Sequence, residues 1–387
     1  MADRALLHID LNNFFASVEQ IRDTSLKGKA IAVCGNAEER KGIVLAKSEE
    51  AKKFNVKTGD TIWLAQQKCP HIIIVQPKHD EYGKYSKLAQ EIYYRFTDLI
   101  ESFGIDECWL DVTPSRRLLG TGEEIAEKIR VTMKEELGLT VSIGVSWNKT
   151  FAKIGSDLKK PDAITVITRE NYRDVIHPLP VSSMLFVGRK TVQLFEKLNI
   201  KTIGDLANFD PKLLAGFMGI MAHKLVKAAR GDCDDQVTLY GHKEQVKSVG
   251  NGGTAKTDLT TMREVRHHTF PLVEKLTRRM RQKNVKGTTI SASIRYFDLK
   301  WEGAQRSIHR PTSSAKTVFE EALKVIEEIW DKQKPIRAIR VAVCNLTGCE
   351  VMQMDVNDME EDKISDIKDD IIIHEEDDDL NILDGSD

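Results

Sequence analysis

Residues 103–112 read FGIDECWLDV, with two adjacent acids, Asp106 and Glu107, inside a run otherwise apolar enough to be a buried strand. An unpaired buried carboxylate is costly and normally neutralises itself or finds a cation. A positive partner is therefore expected there. Neighbouring strand residues face opposite ways, so both acids can converge only at a strand end or a tight turn. Asp10 closes another strand-like segment, ALLHIDL (5–11), nearly a hundred residues earlier. If the two segments are adjacent, three carboxylates meet at one sheet edge, and such a cluster repels itself unless divalent cations hold it. Mg²⁺ suits hard oxygen ligands and phosphate-bearing substrates. Two such ions about 4 Å apart would activate an attacking hydroxyl and stabilise the leaving oxygen of an in-line phosphoryl transfer. Spacing alone leaves open that the acids merely cap or turn the chain.

Outward from this segment, NNFFASVEQIR (12–22) has apolar residues at helical spacing. KAIAVCG (29–35) and GIVLAKS (42–48) are short β-like runs flanking the charged EERK (38–41), and EEAKKF (49–54) predicts a helix. A helix is expected over about 80–102, a strand at LTVSIGVS (139–146) and a helix at NKTFAKIGSDLKK (148–160). Alternating strands and helices suggest an α/β or α+β core over the first 168 residues. From 178 the texture turns to short helices, with two helix pairs expected around the glycine-bearing turns FVGRKT (186–191) and FMGIMA (217–222). Backbone N–H groups of such turns can hold a phosphate. Residues 247–345 read strand, helix, strand, strand, helix, strand, a small α+β sandwich whose strands carry Arg295, Arg306 and Arg310.

A net charge of −2 hides an asymmetry: residues 351–387 hold 15 acidic and 2 basic residues, leaving 55 basic against 44 acidic over 1–350. Residues 241–350 alone carry 21 Lys and Arg against 12 acids. A basic body points to a polyanionic partner. Six cysteines are scattered with no CxxC pair, so neither a zinc site nor a disulfide framework is indicated. No apolar stretch has the length of a membrane span, and MADRALLHID lacks the apolar core of a signal peptide. A soluble, cytoplasmic protein of several domains is expected.

The segments IDLNNFFASVE (9–19), FGIDECWLDV and SIGVSWNKTFAKIGSDLKKP (142–161) resemble, in order, the three signature segments of the Y-family DNA polymerases, the translesion enzymes. The resemblance covers about residues 4–347. It implies a right-hand polymerase, α+β and multidomain: a ferredoxin-like palm (1–11 and 78–168), small fingers (12–77), a helical helix-hairpin-helix thumb (169–235), a linker (236–246), a β-α-β-β-α-β little finger (247–348) and an acidic tail (349–387) expected to be disordered. The palm segments and little finger resemble the DinB type, polymerase IV. GIVLAKSEEAKKFNVKTGDTIW (42–63) resembles the UmuC type of polymerase V, so the subfamily stays open at this point.

The resemblance also implies roles. Asp10, Asp106 and Glu107 match the catalytic, metal-binding carboxylates, and the carbonyl of Leu11 an added ligand, for two Mg²⁺ ions with Mn²⁺ as a substitute. Phe15 matches the steric gate beneath the incoming sugar. Asn13 and Phe14 lie where backbone N–H groups reach the nucleotide phosphates, Lys160 matches a triphosphate-binding lysine, and Lys47 and Lys52 are candidate phosphate contacts. Gly188, Arg189 and Lys190 in the thumb, with Arg295, Arg306 and Arg310, are expected to hold primer–template DNA. Asp111 matches no ligand and is read as structural. The implied partners are DNA, a deoxynucleoside triphosphate and the replication sliding clamp, through the weak candidate QMDV (353–356), with the chain a monomer.

The fingers depart from the polymerase IV pattern. Ala46, Glu49 and Lys52 stand where the family presents a Thr or Ser, a Tyr and an Arg; a glutamate cannot replace a phosphate-binding tyrosine, and lysine lacks arginine's bidentate fork. Gly104 replaces a serine, and Phe186 stands where the thumb often has glycine. Two competing readings follow: a DNA-binding accessory factor that has lost nucleotide binding, which would not need three acids, and an unrelated carboxylate nuclease or nucleotide cyclase, which leaves the thumb and the basic C-terminal sandwich unexplained.

Overall fold

A computed structural model describes residues 4–36, 40, 42–233, 235–242 and 245–348. The acidic tail and QMDV lie outside the described residues. The chain divides into two units, one of residues 1–35 and 43–242, the other of 36–42 and 243–387. The division at 242/243 falls within the stretch expected to be a linker.

The strands of the first unit are β1 (Leu6–Leu11), β2 (Ile31–Cys34), β3 (Val44–Lys47), β4 (Ile73–Val75), β5 (Ile100–Ser102), β6 (Glu107–Asp111), β7 (Val141–Ser146) and β8 (Ile164–Val166). Five form a sheet in the order β5-β6-β1-β7-β8, with β1 central and antiparallel to both neighbours. Because β1 is covered on both sides, its two faces divide by chemistry. Leu7, Ile9 and Leu11 join the main core with Cys108 and Leu110, beside residues of the helices His79–Tyr94 and Gly122–Leu137. His8 and Asp10 alternate to the other face. There the helix Lys149–Leu158 lies over the strands, its first turn capped by Asn148 Oδ1, which accepts from Phe151 N at 2.8 Å.

Gly144 makes that layering possible. A Cβ on Gly144 would lie well inside van der Waals contact of the Ala152 carbonyl oxygen and 2.5 Å from Ser156 N, both backbone atoms of the covering helix. Gly144→Ala is therefore expected to destabilise the protein by roughly 3 kcal/mol, the upper end for overpacking where backbone must move. The check is a thermal melt of the full chain; a melting temperature within about 1 °C of wild type would contradict the layering argument.

Two boundaries differ from expectation. The helix expected over 80–102 stops at Tyr94, and residues 100–102 are the edge strand β5, paired to β6. Apolar spacing alone does not separate the end of a helix from a short strand that follows it after five residues. In the thumb region, FMGIMA does join two helices, Pro211–Met218 and Ile220–Arg230, through Gly219 at φ 57°, ψ −139°, backbone that essentially only glycine adopts. FVGRKT instead follows a short 3₁₀ turn, Val181–Ser183, and opens the helix Arg189–Lys197. Phe186 holds a left-handed backbone there, φ 67°, with an exposed ring.

The second unit has β9 (Ser248–Leu259), β10 (Val285–Tyr296), β11 (Trp301–Thr312) and β12 (Ile336–Gly348) in one antiparallel sheet ordered β11-β10-β12-β9. Its two helices, Met262–Gln282 and Ala315–Ile329, bury Val265, Val273, Leu276, Val318 and Ile326 against Ile290, Ile294, Ile339 and Val341. This is the expected β-α-β-β-α-β order. Among the described residues no helix is long and apolar enough to cross a membrane.

Candidate active site

The turn 103–106 explains how two neighbouring acids come to point different ways. Gly104 has φ 98°, open to glycine and strained for other residues, and Phe103 N donates to the Glu107 carbonyl at 2.8 Å, closing the turn. Asp106 thus precedes the strand while Glu107 begins it. Leu11 N donates to the Asp106 carbonyl at 3.0 Å, and Asp10 pairs in register with Glu107, which fixes the end of β1 against the turn.

Asp10, Leu11, Asn13, Phe14, Phe15, Asp106, Lys47, Lys52 and Lys160 share a cavity of about 420 Å³, with Asn12, Leu45, Ala46, Thr58 and Ile105 completing its walls. Ten of the expected site residues are Asp10, Leu11, Asn13, Phe14, Phe15, Lys47, Lys52, Asp106, Glu107 and Lys160, and only Glu107 is not among the cavity walls. Its carboxylate turns instead to Lys153 Nζ, at 2.9 Å, and to His8 Nε2, at 3.4 Å.

Sequence reasoning had not singled out Lys153, although Lys153, Asp157 and Lys160 recur at helical spacing. Lys153 also lies 3.2 Å from Asp157 and 3.8 Å from Asp10, and Lys160 Nζ donates to Asp10 Oδ2 at 2.7 Å and pairs with Asp157 at 2.9 Å. The buried His8 is held by Ser156 Oγ at 2.8 Å. A histidine inside an apolar strand gives no sign in the sequence of which acid it will face.

Burial pushes the Asp10 carboxyl above the usual carboxylate range, an effect Lys160 only partly offsets. Asp106 is likewise raised, by burial and then by the charge of Glu107. Burial acts the same way on Glu107, but His8 and Lys153 outweigh it and hold that carboxyl low. Two acids under desolvation stress beside a third that stays ionised form a set of hard oxygen donors whose charge favours a divalent cation. In the chain alone the ammonium groups of Lys153 and Lys160 meet that charge. As the side chains stand, no group of three His, Cys, Asp or Glu among the described residues is gathered to hold an ion.

Phe15 is partly buried and stacks on Tyr82, centroids 4.1 Å apart and planes 13° from parallel, while Phe14 is 3% exposed and belongs to the core. Tyr82 is anchored by its hydroxyl, which donates to Glu19 Oε1 at 2.8 Å. Asp111 pairs with Arg4 at 2.9 Å, at the opposite end of β6 from Glu107, as a structural acid would.

Gly188, Arg189 and Lys190 are exposed at the start of the helix Arg189–Lys197. In the second unit, Arg295 is on the sheet face away from the helices, its guanidinium 5.8 Å from the Trp301 ring centre. Arg306 turns out to face the other way. Its register partner is the core residue Ile290, and its guanidinium bonds Glu328 and lies 3.9 Å from Glu321, both on the covering helix. The register is regular from Arg295 and Trp301 to Thr289 and Ser307, so Arg306 alternates to the face opposite Arg295, and the irregularity at Gly287/Thr289 falls beyond it, toward Arg310. Arg310 is exposed further along β11. Arg340, not singled out from sequence, is exposed on the open face between Ser293 and Gly252.

Residues 9–157 match the impB/mucB/samB family and residues 246–356 its C-terminal domain. DNA polymerase IV of Acetivibrio thermocellus is 44% identical over 343 residues, 89% of this chain and 86% of that protein. DNA polymerase IV of Bacillus velezensis is 36% identical over 353 residues, 90% and 83%. A solved Y-family DNA polymerase chimera superimposes with a TM-score of 0.77 at 25% identity, over 88% of this chain and 98% of that one. The subfamily left open by the fingers segment is thereby decided in favour of the DinB type, and the chain belongs to the impB/mucB/samB family of Y-family DNA polymerases.

Proposed function

We propose that in this translesion, DNA-directed DNA polymerase Asp10, Asp106 and Glu107 carry the transfer of a nucleotide from a deoxynucleoside triphosphate to a primer 3′-hydroxyl. The observation that supports this most is the cavity that joins two of the three acids to Lys47, Lys52 and Lys160 and to the Phe15 ring. Asp10, Asp106 and Glu107, with the Leu11 carbonyl, would hold two Mg²⁺ ions, or Mn²⁺ in their place. When bound, such ions lower the pKa of the attacking hydroxyl and neutralise charge on the transferring phosphate. Lys153 and Lys160 hold the carboxylates in the meantime and must release them for an ion to enter. Lys160 then turns its charge to the triphosphate, joined by Lys47 and Lys52 and by the backbone N–H groups of Asn13 and Phe14 at the head of the helix Phe14–Arg22. Phe15, braced by Tyr82, forms the floor under the sugar. The test is extension of a labelled primer with Mg²⁺ and the four deoxynucleotides.

Primer–template DNA would be held through its phosphates by Gly188, Arg189 and Lys190 in the thumb and by the open sheet face of the second unit. On that face Arg340 and Arg295 are flanked by the small residues Gly250, Gly252, Ser291, Ser293 and Gly303, which leave the surface flat enough for a nucleic-acid backbone to approach. Arg306, already paired with carboxylates, contributes less. Arg340→Ala is expected to weaken duplex binding and to reduce the slope of log affinity against log salt by roughly 1, one phosphate contact fewer. An unchanged slope by fluorescence anisotropy would remove Arg340 from the contact surface. We place the chain in the cytoplasm, acting as a monomer.

A further inference from the structure

Glu49 is the first residue of the short helix Glu49–Lys52. A single oxygen of its carboxylate, Oε1, accepts from both Lys52 Nζ and Asn13 Nδ2, each at 2.7 Å. Lys52 and Asn13 are themselves walls of the active-site cavity. Asn13 heads the helix Phe14–Arg22 in a left-handed conformation, φ 52°, ψ 33°, and its side chain makes no cap to that helix. Its amide is committed to Glu49 instead.

The three ammonium groups of the cavity thus differ in what opposes a phosphate. Lys160 is held by Asp10, a carboxylate with an alternative role in holding metal, and by the half-exposed Asp157. Lys47 donates to the neutral hydroxyl of Thr58 at 3.1 Å. Lys52 is bound to an acid with no other duty in the site. We propose that Glu49 is a resident anion that competes with the triphosphate of the incoming nucleotide for Lys52, and so weakens nucleotide binding in this chain. The proposal rests on the cavity being the triphosphate site.

The chemistry supports competition in preference to bracing. Carboxylate and phosphate oxygens are acceptors for the same N–H donors. Both side chains of the pair are partly exposed, so parting them costs little. A bound triphosphate brings several negative charges within a Debye length of Glu49, where like charges still repel. Burial raises the Glu49 carboxyl, but Lys52 and Asn13 outweigh it and keep it below the usual range, hence charged at neutral pH.

The experiment measures single-nucleotide incorporation by the full chain for wild type, Glu49→Gln and Glu49→Ala. Glutamine keeps the acceptor oxygen and loses the charge, whereas alanine loses both. Competition predicts that both variants lower KM for the nucleotide, roughly threefold to tenfold, with kcat the smaller change, and that added salt narrows the gap. If Glu49 is instead a strut, Glu49→Gln keeps the wild-type KM and Glu49→Ala raises it, which overturns the proposal. Equilibrium binding of inorganic triphosphate to the same three proteins follows the contest without catalysis. Tighter binding by Glu49→Gln upholds it even if wild type fails to extend primers, in which case the function reading fails and this one stands; equal or weaker binding overturns it.

Discussion

Asp106→Asn is expected to reduce nucleotide incorporation by on the order of 10³-fold, the scale of losing a principal electrostatic group in phosphoryl transfer. The change is nearly isosteric, and its effect on folding has the opposite sign. Burial and the neighbouring charge of Glu107 raise the Asp106 carboxyl above its ordinary value. A raised pKa means that the fold disfavours the ionised form, so at neutral pH a neutral amide removes a cost. The variant should melt at or above the wild-type temperature, and it should bind duplex DNA nearly as well, because Lys and Arg elsewhere supply the phosphate contacts. Kinetics, a melting curve and anisotropy on one preparation separate these outcomes. Near wild-type incorporation by Asp106→Asn would remove it from the catalytic set, and a collapse of stability would show a structural acid.

Phe15→Ala is expected to lower discrimination between a deoxynucleotide and its ribonucleotide by on the order of 10²-fold, while preserving deoxynucleotide incorporation. Discrimination by a ring beneath the sugar is a penalty built against the wrong substrate, a 2′-hydroxyl with no room. The stack of Phe15 on Tyr82, fixed in turn by Glu19, gives the ring a rigid back wall, which such a penalty needs. A fully buried phenylalanine would cost about 3–5 kcal/mol on truncation, but Phe15 lines the cavity and is only partly buried, so roughly half of that is expected. The measurement is the ratio of kcat/KM for the two nucleotides. A variant that melts early and keeps the wild-type ratio would make Phe15 a core residue and put the gate elsewhere.

Much of the fold was legible because three local patterns fixed long-range pairings. HID at the end of β1 and the DE pair resembled two signature segments whose acids meet at one sheet edge, and Asp10 and Glu107 are register partners. The alternation of β9 to β12 with two amphipathic helices likewise gave the order of the second unit. Side-chain facing was less legible. Arg306 was grouped with Arg295 and Arg310 by charge alone, and only its register against Ile290 shows that it faces the helices. Lys153 and His8 were missed because their role depends on which carboxylate the covering helix brings over them, a distance set by Gly144. Glu49 stood out as a departure, but only its two hydrogen bonds through one oxygen show what it does to Lys52.

Single-nucleotide incorporation with Mg²⁺ opposite an intact base and opposite an abasic site decides whether this cavity copies DNA and tolerates damage in the template. Selective incorporation opposite the intact base, slower incorporation opposite the abasic site, and loss of both in Asp106→Asn are expected. DNA binding without incorporation on either template by the wild-type chain would contradict that role for the cavity.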